Sequence, residues 1–380
     1  MEEHEPHSAA SEANAMLAMG RVDGALAHCT PATSRIFAAQ MLRHTLVSAL
    51  RQEGHLFTAQ RFHAWFAGLA TLAEIPPRHA RLPRALCEAI LTELAHSNWA
   101  PLANLAARMK PALLAPQDLD DPEAHEQAHA TIADARNLIE RHGLPPSPLA
   151  FSSLSQLYRE IGENVRFAPT QRLPSPLQMQ GRFVTFERAP LPSPYWAIEL
   201  LYGQCLRLAG ILSDALPCPG LIRPHTFAVQ EPETARTIRA NGLLDVARDW
   251  GEKLNNAADA SRMMERPMPG RRGTSRAPAL FELLAGFGPM RSIQIEGLLG
   301  ATRLGVRGML TTLDEMGVLD RTTISGSHLY SVSSIHSPAL CLPAAEAGSA
   351  FSTEALGDFE ASLARIDSLL DRGSTDAESD

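Results

Sequence analysis

The sequence predicts a mainly α protein: a helical N-terminal domain followed by a C-terminal winged helix-turn-helix with a small β-hairpin wing. Three observations predict it. Apolar residues recur at helical spacing through most of the first 260 positions. The stretch 262–278, "RMMERPMPGRRGTSRAP", then interrupts that pattern with five arginines, three prolines and two glycines. Beyond it, three short amphipathic stretches lead into an alternating segment with a turn in its middle, the element order of a winged helix. These divide the chain into a helical domain (1–261), a basic flexible linker (262–277), a winged helix-turn-helix (278–335) and an acidic tail with one amphipathic helix (336–380).

In the first domain, Ser11 opens a helix through "EANAMLAMGRVDGAL" and Thr30-Pro31 opens a second, because Pro is tolerated in a first turn. Ile36, Met41, Leu42, Leu46 and Leu50 keep helical spacing up to a stop at Gly54. "AQRFHAWFAGLATL", "RALCEAILTELAH" and "PLANLAARMKPALL" predict three further amphipathic helices, and "DPEAHEQAHATIADARNLIERHG" a fourth. Proline-rich stretches at 143–148, 168–176 and 189–194 break the pattern, with "GRFVTFER" a short strand between the last two. "YWAIELLYGQCLRLAGIL" and "PETARTIRANGLLDVARDWGEKLNNAADASRMM" resume the helical period.

With 45% hydrophobic and 20% charged residues over 380 positions, the chain can bury a substantial core. No apolar run approaches the roughly 20 residues that cross a bilayer, and "MEEHEPHSAASEANAML" lacks the layout of a secretory signal. The five cysteines are scattered singly, which favours reduced thiols and a cytoplasmic location over a disulfide framework or zinc ribbon. The net charge of −8 is unevenly spread: −4 over 1–261, +3 over 262–336 and −7 over 337–380. The basic segment is where an anionic partner would dock.

"HEQAH" at 125–129 matches the His-Glu-x-x-His of zinc proteases, in which two histidines one turn apart bind the metal and the Glu is the base. The context fails. The position where one such class supplies its third histidine is Ala135, Glu140 lies on the same helix and cannot fold back, and the preceding "QDLDDPEAH" suits a solvent-facing helix start. The motif is therefore a chance match on a surface helix with an Ala128, Ile132, Ala135, Ile139 stripe; no metal, cofactor or catalytic residue is expected.

The strongest local signal lies in 278–335. "PALFELLAGFG" buries Leu280, Leu283, Leu284 and Phe287; "SIQIEGLLG" follows, with Ser292 as N-cap and Gly300 as turn residue. "ATRLGVRGMLTTLDEMGVL" gives a recognition helix over 302–316, capped by Thr302, with Val306, Met309, Leu310 and Leu313 inward. "DRTTISGSHLYSV" turns at "SGS" as a two-stranded wing. Arg303 and Arg307 share a helix face that the spacing sets opposite Val306 and Leu310, suited to phosphates or to the edge of guanine. Gly305 permits close approach to a groove wall, His328 sits on the wing, and Arg271 and Arg272 on the linker would lie along phosphates.

The leader "GRRGTSR", the "PALFEL" helix and "LGATRLGVRGML" resemble the C-terminal end of a group of proteobacterial proteins that join a helical domain of unknown function to a helix-turn-helix DNA-binding domain. That resemblance covers about 65 residues of moderately specific pattern and implies DNA binding. "AMGRVDGAL" and "VSALRQEGHLF" resemble, more weakly, the leading helices of Fic-type nucleotidyl transferases, with Arg51, Glu53 and Gly54 matching an Arg-x-Glu-Gly stretch. The Fic catalytic loop has no counterpart; "RPHTF" at 223–227 lacks the phosphate-cradling glycines.

The reading is a cytoplasmic DNA-binding transcriptional regulator rather than an enzyme, with double-stranded DNA as partner and the helix 302–316 in the major groove. The alternative is a protein-interaction module or Fic-like scaffold without catalytic activity. In the tail, Leu356, Phe359, Leu363, Ile366 and Leu370 step as a heptad seam, which fits a homodimer or docking on the N-terminal domain.

Overall fold

The computed structural model describes residues 7–73, 81–116, 122–140, 150–169, 173–179, 182–188, 192–265 and 276–333. The linker arginines Arg271 and Arg272 and the tail seam lie outside the described residues.

Helix α1 (His7–Ala27) starts ahead of Ser11 and packs along the long α9 (Pro232–Glu265). Also against α9 lies α2 (Pro31–Gln52), which begins as its sequence requires: Thr30 Oγ1 accepts the Thr33 amide at 3.1 Å and Pro31 fills the first turn. It ends before Gly54, whose φ of 87° is a conformation that side chains resist. Ile36, Met41, Leu42, Leu46 and Leu50 are fully buried, so the helical spacing found its core. Helices α3 (Ala59–Phe66), α4 (Pro83–Leu94), α5 (Ala100–Ala112) and α6 (Pro122–Glu140) follow in the predicted places. α7 (Ala150–Glu163) was not anticipated, although Phe151, Leu154, Leu157, Tyr158 and Ile161 form a clear buried stripe. α8 (Tyr195–Leu208) is almost wholly buried.

The predicted strand is β2 (Arg182–Arg188), paired antiparallel with an unpredicted β1 (Leu173–Met179). Pro174 and Pro176 argued against β1, since Pro cannot donate to a ladder. Spaced two apart, they remove donors from one edge only, and a two-stranded ribbon leaves one edge unpaired.

The C-terminal part has the order helix, helix, helix, hairpin. It comprises α10 (Ala277–Phe287), α11 (Ser292–Leu299), α12 (Arg303–Glu315), β3 (Leu319–Ile324) and β4 (Ser327–Val332). Met290, between α10 and α11, pairs with Tyr330 by two backbone hydrogen bonds of 2.9 and 3.0 Å, an isolated bridge that ties β4 to the segment after α10. The fold is therefore mainly α, a helical body carrying a winged helix-turn-helix. Ser292 is the first helical residue of α11 rather than its cap; the Arg291 amide instead donates to Gln294 Oε1 at 3.0 Å.

This winged helix shares its core with the helical body. α10 lies on α2 so closely that a Cβ on Gly286 would stand 2.4 Å from Ala39 Cβ and 2.7 Å from the Ile36 carbonyl. Phe287 packs among Phe62, His63 and Phe66, with ring centroids 6.2, 5.8 and 5.0 Å away. Gln294, buried, donates to the carbonyls of Ala112 (2.7 Å) and Phe66 (3.3 Å), and Arg291 Nη1 donates to Ala67 at 3.1 Å. We expect Gly286→Ala to lose about 1–3 kcal/mol of stability, the range for forced overpacking, in chemical denaturation; a neutral result would mean the α2–α10 seam yields.

Two buried groups titrate in opposite senses. Burial pushes the Glu199 carboxyl from 4.5 up to about 7, although Gln52 Nε2 (2.6 Å) and the Ile222 amide (3.0 Å) donate to it. Burial, aided by Arg43, lowers His63 from 6.5 to about 3. Glu199 then contributes stability that is complete below pH 4.5 and lost as pH rises through about 7. His63 contributes stability that is complete above pH 6.5 and lost as pH falls towards 3. Between 4.5 and 6.5 the two slopes, each up to about 1.4 kcal/mol per pH unit, oppose one another. Glu199→Gln should therefore expose a loss of stability on acidification over that window, measured as denaturation midpoint against pH, that the parent chain masks.

Candidate nucleic-acid interface

The outward surface of the winged helix is built around α12. Thr302 Oγ1 accepts the Gly305 amide at 3.2 Å and starts the helix as expected, and Gly300 (φ 54°) closes the turn before it. Val306, Met309, Leu310 and Leu313 are buried. Among the described residues, the main packing partners of α12 are α10, α11 and β3.

Arg303 and Arg307 are exposed and, among the described residues, neither is in an ion pair. Their placement differs from the expectation in one respect. At about 100° per residue, they flank the buried stripe on the Leu310 side rather than oppose it. The centre of the outer face is Leu304, 78% exposed, with Gly308 and Thr311 one and two turns on. Leu304 was not among the expected site residues; its phase relative to Val306 and Leu313 is the signal that singles it out. Thr312 is committed to its own helix, its hydroxyl donating to the Gly308 carbonyl at 3.0 Å.

Gly305 and Gly308 cost helix stability, about 1 kcal/mol each relative to Ala, and the fold does not require them. A Cβ on Gly308 would meet nothing within 4 Å, and one on Gly305 would first meet Thr302 Oγ1 at 3.4 Å. Together they leave a shallow, side-chain-free strip beside Leu304 on which a partner's surface can approach the backbone.

The hairpin turns at Ser325 and Gly326, both at positive φ (49° and 73°), the twist-matched two-residue turn. Pairing across the strands puts Arg321 and Thr323 on one face with His328 and Tyr330. Thr323 Oγ1 and His328 Nδ1 are 2.9 Å apart, and the His328 ring stands edge-on to Tyr330. Arg321 was not foreseen; the alternation that pairs it with Tyr330 was the available signal. The tip touches the helical body, with Ser325 Oγ 3.5 Å from the Leu69 carbonyl, so the side of the wing is its free surface.

Electrostatically the folded module is balanced. Across 276–333, Arg276, Arg291, Arg303, Arg307 and Arg321 face Glu282, Glu296, Asp314, Glu315 and Asp320. Arg276 donates to the Leu299 carbonyl and Arg291 to Ala67, while Glu282 is held by Arg35 (2.6 and 2.9 Å). Among the described residues, the cations of this module without a bonded or ionic partner are Arg303, Arg307 and Arg321. Two of them lie in the first half of α12, whose N-terminus adds positive character, and Asp314 and Glu315 lie at its other end.

The other motifs settle into the body. His125 Nε2 is bonded to Glu88 Oε2 at 2.7 Å, and Glu126 and His129 are exposed. Ala128, Ile132 and Ala135 form the buried stripe, joined by Leu138, with Ile139 at its margin. Among the described residues, no three His, Cys, Asp or Glu converge as a metal site. Glu53 is buried and accepts from Arg81 Nη1 (2.5 Å) and Trp196 Nε1 (2.6 Å), and Arg51 stacks over Phe57. His225 is exposed on a short 3-10 turn, Pro224–Ala228. No helix among the described residues is long and apolar enough to cross a membrane. No protein-family model and no curated protein matches the chain.

Because nothing in the fold occupies the space beside Gly308, Gly308→Ala should stabilise the chain by about 0.5–1 kcal/mol through helix propensity and a stiffer unfolded state. Urea denaturation checks this, and a destabilised variant would mean that the fold itself demands the glycine.

Proposed function

We propose that the chain is a DNA-binding transcriptional regulator that acts in the cytoplasm and places α12 in the major groove of duplex DNA. The observation that carries this reading is the exposed outer face of α12, with Arg303 and Arg307, unpaired among the described residues, in its first half and a backbone strip at Gly305 and Gly308. In this scheme Thr302 fixes the helix start. The arginines reach guanine edges or phosphates, and Leu304 meets a thymine methyl. Arg321 and His328 lie along the backbone from the wing. Arg271 and Arg272, on the linker, add phosphate contacts, and the tail seam joins two copies over paired half-sites. The resemblance of this C-terminal segment to helix-turn-helix proteins supports the same assignment.

A second reading has its own support: the 78% exposure of Leu304 and the balanced charge of 276–333 suit a module that binds protein. Phosphate contacts release counterions and protein contacts do not, so salt separates the two. A duplex selected from a random pool should lose about 1–3 kcal/mol of affinity for Arg303→Ala and for Arg307→Ala. Replacing both Arg271 and Arg272 with Ala should weaken selected and random duplexes alike and reduce the salt slope by about one to two. If both pairs of substitutions leave duplex binding unchanged at every salt concentration, the DNA reading falls and the protein-binding reading replaces it.

A further inference from the structure

A cavity of about 580 Å³ opens between the helical body and the winged helix. Its walls come from the α1–α2 corner and α5 on one side and from α10 and the last residues of α11 on the other. The volume lies within the roughly 300–1,000 Å³ range of small-molecule sites. Leu105, Leu283, Leu298 and Leu299 are among its apolar lining residues. Two features of charge distinguish it from a packing defect. Glu282, the carboxylate at its wall, is neutralised by a two-pronged bond from Arg35. Arg108, also lining it, is exposed and has no bonded or ionic partner among the described residues. An apolar chamber with one uncommitted guanidinium and no free anion selects a compact apolar molecule with a single negative charge, since a carboxylate meets the planar guanidinium in two parallel hydrogen bonds.

We infer that this cavity is an effector site for a small apolar monocarboxylate, held by Arg108 at its mouth and by leucines of both parts of the chain within. Leu298 and Leu299 immediately precede the Gly300 turn into α12, so an occupant bears on the residues that set the angle of that helix. That regulatory half of the inference rests on the DNA reading above; occupancy of the site does not.

The test is calorimetry on the full chain without DNA, using 2-naphthoate and octanoate as probes and their amides as neutral counterparts. At least one acid should bind at one per chain, about 10-fold or more tighter than its amide, the scale of a charge-assisted contact. Arg108→Ala, at an exposed helical position, should abolish that preference, and Ala279→Trp, exposed on α10, should block binding by filling the space; circular dichroism confirms that both fold. No saturable binding of either acid, or binding that is indifferent to both substitutions, overturns the site. Repeating the duplex titration with the bound acid then reads the coupling: an unchanged duplex affinity removes the regulatory role while leaving the site, and an absence of duplex binding in the parent counts against the DNA reading alone.

Discussion

The seam between α2 and α10 is the constraint on which the remainder of the structure depends. Only glycine at 286 lets the α10 backbone come within van der Waals reach of Ala39 and Ile36. That approach carries Phe287 into the ring cluster of Phe62, His63 and Phe66 and sets Gly288, at φ 105°, against the His63 ring. Aromatic contacts of this kind contribute about 0.5–1.5 kcal/mol each beyond area burial. Steric closeness, not any single polar bond, thus makes the winged helix a part of the helical body's core.

Directional bonds then fix its orientation. Gln294 spans the junction with one amide, donating to Phe66 and Ala112 while its oxygen receives the Arg291 amide, and Arg291 reaches Ala67. Those carbonyls sit at the ends of α3 and α5, where helices leave acceptors unsatisfied. Four interactions therefore convert a greasy contact into a defined angle for α11, and through the Gly300 turn for α12. In the proposed DNA complex such rigidity lowers the ordering entropy on binding. The cavity beside Leu298 and Leu299 is the softer side of the same junction.

Much of this was legible in the sequence, for identifiable reasons. Thr30 and Thr302 announce helix starts because their hydroxyls have local partners three residues on, and Gly54 and Gly300 announce ends because few residues take positive φ. These signals are local, and local pattern is what a sequence displays. α7 was hidden by the proline-rich stretch ahead of it, and β1 by prolines whose harmlessness depends on having one free edge. At the candidate interface, the cap, the wing turn and the exposure of both arginines were readable, but not the phase of the arginines relative to the buried stripe. Leu304 was not, since exposure is a property of phase relative to neighbours, and Arg321 was not, since its face is set by pairing with β4. That Arg276 and Arg291 are structural could not be seen either: the carbonyls they bond, Leu299 and Ala67, are 23 and 224 residues away in the chain.

That last distinction changes what the basic segment means. Summed by sequence, 262–336 carries +3, yet the folded part from 276 onwards is balanced, so the excess belongs to the stretch ahead of α10. Nonspecific attraction to a polyanion scales with the number of phosphates neutralised, and three free arginines on α12 and β3 are few for that task. In the proposed complex the two requirements are therefore met by different segments. The stretch with Arg271 and Arg272 supplies long-range, salt-sensitive attraction. The rigid module, poor in net charge, contributes discrimination through Arg303, Arg307 and the apolar, close-approach surface of Leu304, Gly305 and Gly308. A neutral reading head has a physical advantage in such a scheme. It gains little from phosphates at an incorrect sequence, so a larger fraction of its binding free energy depends on the bases it meets.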